Sequence, residues 1–111
     1  QFLDLAGSEL KKQATILSGD ARYQIFAGSF LSRTGSIDEA LPYIQKASEL
    51  SPKKQTILFE LGSAYYNKKD LVKAEETFKK AYELAPEYAE AKKYYSAILM
   101  ANGKMDEAEQ I

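Results

Sequence analysis

The chain repeats itself every 34 residues, and that period restricts it to architectures built by stacking one supersecondary unit on the next. Laying 21–54 over 55–88 aligns eight identities: Gly28/Gly62, Ser29/Ser63, Ala40/Ala74, Lys46/Lys80, Ala47/Ala81, Glu49/Glu83, Leu50/Leu84 and Pro52/Pro86. Apolar pairs fill in around them, at Ile25/Phe59, Leu31/Tyr65, Ile37/Leu71 and Ile44/Phe78. A third copy opens at Ala89, and its GKMDEA at 103–108 restates GSIDEA at 35–40. The 111 residues are therefore three periods and nine residues over. A chain that starts and stops out of phase with its own repeat reads as an excised piece of something longer.

Within each unit the apolar spacing predicts two helices. Ala27, Gly28 and Leu31, then Leu61, Gly62 and Tyr65, fall on one helical face. Ser36 and Asp70 precede the second helices as N-caps, each offering a side-chain oxygen to the first turn. Ala40 and Ala47 flank Ile44, and Ala74 and Ala81 flank Phe78. Small residues on either side of a large one let two helix backbones approach closely while the large side chain fills the gap. LSP at 50–52 and LAP at 84–86 end the second helices, because proline disfavours the helical conformation of the residue before it. Pro42 lies inside a second helix, where a local bend and an outward-facing ring are expected.

This pattern resembles the tetratricopeptide repeat (TPR) family. The second unit carries it most fully, with Leu61, Gly62, Tyr65, Ala74, Phe78, Ala81 and Pro86. The first unit departs at Gln24, where a large apolar residue is expected, and at Ala27, where leucine is common; the third has Ser96 in place of the glycine. The resemblance implies an all-α TPR-type α-solenoid, a right-handed superhelix of antiparallel helix pairs, forming a single domain over 1–111. Its parts are a leading helix at 1–18, repeats at 21–54 and 55–88, and a truncated repeat at 89–111. In the leading helix, Ala6 and Leu10 project onto the Ala40 and Ile44 positions. That phase fits a degenerate second helix of a preceding unit, and a generic capping helix would bury the same face.

Composition removes most chemistry. The chain has no Cys and no His, which takes away disulfides, thiolates, the usual zinc ligands and the commonest general base near neutral pH. Fifteen basic against sixteen acidic residues leave a formal charge of −1, so the electrostatic drive toward nucleic acid is missing although lysine pairs recur along the chain. The eight tyrosines fall mostly at repeat core positions, so packing accounts for them before base stacking does. Glu75/Glu76 and the run Asp106, Glu107, Glu109 lack a cation-loop pattern and read as solvated helix surface. No phosphate loop, catalytic triad or apolar run near the ~20 residues of a membrane span is present. A non-enzymatic chain without cofactor or metal is expected.

The resemblance implies that the first helices line a concave groove. Its positions fall at Arg22, Ile25, Ser29 and Ser32, at Thr56, Phe59, Ser63 and Tyr66, and at Glu90, Lys93, Ala97 and Met100. Ser29, Ser63 and Ala97 would keep the floor open, with Ile25, Phe59, Tyr66 and Met100 as an apolar stripe. TPR domains that grip a chaperone's C-terminal carboxylate use Lys, Asn and Arg at such positions. Only Lys93 conforms, which argues against that role and for a peptide or helix with apolar anchors. The alternative is a structural segment of a larger solenoid, or a homodimer through the incomplete repeat ends. Residues 20–92, above all ELSPKKQTILFELG at 49–62, also resemble the soluble C-terminal TPR region of bacterial O-antigen-ligase/polymerase-like membrane proteins. That likeness implies an accessory role beside a membrane glycan polymerase or ligase, with the side of the membrane left open. Finally, the shortened last repeat predicts fraying of 103–111.

Overall fold

A computed structural model describes residues 2–111, with side chains from Leu5 onward. Every regular element among the described residues is an α-helix: α1 (Phe2–Ile16), α2 (Ala21–Arg33), α3 (Ile37–Leu50), α4 (Gln55–Asn67), α5 (Leu71–Leu84), α6 (Ala89–Ala101) and α7 (Met105–Glu109). The chain divides into two compact units, one ending at Pro52 and the other beginning at Lys53, close to the boundary between the two full repeats.

The first unit packs α2 against both α1 and α3. Ala27, Leu31, Ala40, Ile44 and Ala47 are buried at this junction. Gly28 makes the close approach possible, since a Cβ there would lie 2.5 Å from Ile44 Cγ1 and 3.2 Å from its backbone nitrogen. Gln24, the departure from the repeat pattern, is 4% exposed. Its amide donates to the Ala14 carbonyl at 2.8 Å and to the Ser18 carbonyl at 3.3 Å. Carbonyls in the last turn of a helix lack intrahelical partners, so this glutamine caps the C-terminal end of α1 from a neighbouring helix. Leading helix and repeat are thereby joined by a buried polar contact.

The second unit packs α5 between α4 and α6, with α7 against α6. A Cβ at Gly62 would collide with the Phe78 ring, the same large-into-small fit as in the first unit. Tyr94 lies between two rings, 4.7 Å from Phe59 and 5.0 Å from Phe78, stacked on both. Gln55 donates to the Ala81 carbonyl at 2.8 Å, a second glutamine serving a helix end.

The three turns between first and second helices share one hydrogen-bond pattern. Ser36, Asp70 and Lys104 donate their backbone N–H to Leu31, Tyr65 and Leu99, and Gly35, Lys69 and Gly103 donate to Ser32, Tyr66 and Met100. Such turns need a left-handed residue at the corner, which is Gly35 (φ 92°), Lys69 (φ 65°) and Gly103 (φ 77°). The 34-residue period is thus written into the backbone as well as the side chains.

Two local expectations are modified. Asp70 caps α5 by accepting from the Lys73 N–H at 3.1 Å. Ser36 occupies the N-cap position of α3, but its hydroxyl makes no hydrogen bond to the helix backbone; it meets the Glu39 carboxylate instead. Asp20, just before the first repeat, caps α2 through the Arg22 N–H at 2.9 Å. Pro42 faces outward as expected, inside a helix that runs unbroken from Ile37 to Leu50.

Candidate interaction surface

In the first unit the groove positions all lie on α2. Arg22 is exposed, with its guanidinium on the Asp20 carboxylate at 2.8 Å and over the Tyr23 ring at 5.9 Å. That ion pair holds the Asp20 carboxyl below its ordinary range. Ile25, Ser29 and Ser32 are half-buried. A cleft of about 370 Å³ opens elsewhere in this unit, beside Gly7, Phe30 and Thr34, with Lys11 of α1 and Glu39 of α3 paired at its edge.

In the second unit the positions lie on α4 and α6, which touch one another. Thr56 is exposed, Ser63 half-buried, and Tyr66 52% exposed. On α6, Glu90, Lys93 and Ala97 are exposed, and Met100 is 46% exposed. Spacings of four and three place Phe59, Ser63 and Tyr66 on one face of α4, and Lys93, Ala97 and Met100 on one face of α6.

Phe59 departs from the expected open stripe: it is only 6% exposed. Tyr94 stacks on its ring, and Tyr88 approaches it at 6.0 Å. The cause is legible one period away, since Tyr94 stands where the earlier units have Phe26 and Glu60. Reasoning repeat by repeat missed this, because the covering ring comes from the next helix pair. Phe59 therefore belongs to the core, and the apolar side chains left outward on this face are Tyr66 and Met100.

Among the described residues, no group of three or more His, Cys, Asp or Glu side chains could hold a metal ion. No described helix is long and apolar enough to cross a membrane.

A family model described as tetratricopeptide repeat matches residues 28–89, and a second with the same description matches 68–111. Among solved structures, the one named MamA RS-1 ArsTM double mutant superposes with a TM-score of 0.86 at 19% identity, over 97% of this chain and 61% of its own. The MamA protein crystal structure gives a TM-score of 0.85 at 22% identity, over 97% of this chain and 59% of its own. MamA MSR-1 C2 gives 0.79 at 22% identity, over 96% and 61%. Likeness at this identity concerns the fold, and the chain spans about three-fifths of the length of these structures. No curated protein sequence matches the chain. The likeness of 20–92 to O-antigen-ligase-like proteins gains no support from these comparisons.

Proposed function

The chain belongs to the tetratricopeptide repeat family, and from that premise we propose that it is a non-catalytic interaction module that takes a peptide or helix on its first-helix faces. The observation that carries this reading is in the second unit. Its core closes through Phe59, Tyr94 and Phe78, yet Tyr66 and Met100 remain about half exposed. Folding does not need these two side chains on the surface, and exposed apolar groups beside small residues such as Ser63 and Ala97 suit an apolar anchor of a partner. Thr56 and Lys93 would supply polar contacts to the same ligand. Arg22, Ile25 and Ser29 would form the corresponding surface of the first unit.

The test is selection of peptides from a random display library on the immobilised chain, followed by calorimetry of the enriched peptides. Tyr66→Ala with Met100→Ala should weaken binding tenfold or more, since truncating central aromatic and apolar anchors commonly costs above ~1 kcal/mol each. Unchanged affinity, with unchanged helical circular dichroism, would refute the assignment.

A second reading, self-association, rests on α1. Leu5 and Ile16 are 70% and 64% exposed, and eleven residues of separation bring them within about 20° on one helical face. Sedimentation equilibrium checks it: Leu5→Lys with Ile16→Lys should abolish any dimer, and a wild-type chain that stays monomeric at high concentration removes the reading.

A further inference from the structure

We propose, resting on the peptide-binding role given above, that Met100 is an oxidation site: a peroxide that converts its thioether to the sulfoxide releases the ligand from the first-helix face of the second unit. Sulfur is scarce in this chain, which has no cysteine and two methionines, Met100 and Met105. Both are about half exposed. A peroxide therefore reaches thioethers without a thiolate competing for it. Methionine often serves as a gap-filler in cores, but the core of the second unit is closed by Leu58, Phe59, Phe78 and Ile98. Oxidation of Met100 thus alters the surface and leaves the core shut.

The exposure of Met100 belongs to its position in the repeat. Tyr66 stands one period earlier and is exposed to a similar degree, although α6 follows it in the chain and touches its helix. Ala97, three residues before Met100 and on the same face of α6, carries only a methyl group and is itself exposed. The sulfur therefore stands beside the small-residue floor on which a partner's apolar anchor would rest. Met105 provides a reference within the same molecule. It is as exposed as Met100, but it lies in α7, outside the first helices that carry the face.

In the reaction a sulfur lone pair attacks one peroxide oxygen, the O–O bond breaks and an S–O bond forms. With hydrogen peroxide, the other oxygen leaves as water and takes both hydrogens. The thioether loses two electrons and the peroxide gains them. The product carries a hydrogen-bond acceptor where the side chain was apolar. An apolar anchor laid over that oxygen strips its water and offers no donor in return, which weakens binding about tenfold or more. Without a ligand the sulfoxide stays in water, and the fold is unaffected.

The experiment treats the whole chain with hydrogen peroxide, follows conversion at Met100 and Met105 by peptide mass spectrometry, and titrates the library-selected peptides by calorimetry. Met105→Leu leaves Met100 as the sole sulfur. In that variant and in the wild type, affinity should fall about tenfold or more on conversion, with helical circular dichroism retained. Met100→Leu should keep its own starting affinity through the same treatment. Bound peptide should slow conversion at Met100 relative to Met105. The proposal is overturned if conversion of Met100 leaves affinity unchanged, if Met100→Leu loses affinity to the same extent, if helicity falls in step with conversion, or if bound peptide leaves the Met100 rate unaltered. A chain that enriches no peptide overturns it together with the binding role. Peptides that depend on Tyr66 and Met100 yet bind the sulfoxide equally well overturn the oxidation site alone.

Discussion

In the first unit the glycine of the leading helix pair, Gly28, is closed by Ile44; in the second, Gly62 is closed by Phe78. The isoleucine, on α3, is fully buried. The phenylalanine has a face left over, and that face is stacked by Tyr94 from the following helix. Each unit then secures its extra helix differently. The first holds α1 partly through a buried amide, Gln24, on the end of that helix, whereas the second holds α6 through an aromatic stack. The same period therefore dictates where small and large residues meet, and in the second unit the ring of the large one is also stacked by a residue of a third helix.

The largest expected effect bears directly on that contrast. Phe78→Ala should cost about 3–5 kcal/mol and Ile44→Ala about 2–5 kcal/mol, with Phe78 the costlier because Tyr94 loses one of its two stacking partners. Urea denaturation followed by circular dichroism measures both; a larger loss at Ile44 would break the comparison. Next in size is Gln24→Leu. This substitution restores the apolar residue of the repeat pattern, yet it should destabilise by about 1–3 kcal/mol, because the buried Ala14 carbonyl in the last turn of α1 loses its side-chain donor. A stabilised variant would mean that the polar contact contributes nothing. The smallest effect has the opposite sign. Lys69 holds a left-handed corner that is glycine in the other two turns, so Lys69→Gly should raise stability by about 0.5–1 kcal/mol as backbone strain is relieved. No gain on thermal melting would show that the corner relaxes without help.

Much of the fold was legible because identity at a fixed offset constrains geometry directly. Gly28/Gly62 and Ala40/Ala74 announced close helix approach, and Pro52 and Pro86 marked helix ends. Ser36 misled, because the N-cap position is a matter of sequence whereas the hydrogen bond depends on where the hydroxyl turns, and a nearby glutamate competes for it. At the candidate surface, Tyr66 and Met100 emerged outward as the repeat frame implied, while Phe59 turned out to be core. Its exposure depended on Tyr94, a residue 35 positions further along.

By itself the sequence determined the all-helical repeat, the register of its helix pairs and the large-into-small contacts that close each pair. These follow from periodicity and side-chain size within one unit, and a 34-residue period admits few other arrangements. Only the tertiary structure decided that Gln24 caps α1, that Tyr94 seals Phe59, and that Asn102 and Lys104 converge on Glu75. Each of those contacts joins different helices, and its partner is chosen by the direction in which a side chain leaves its helix, which spacing along the chain does not specify.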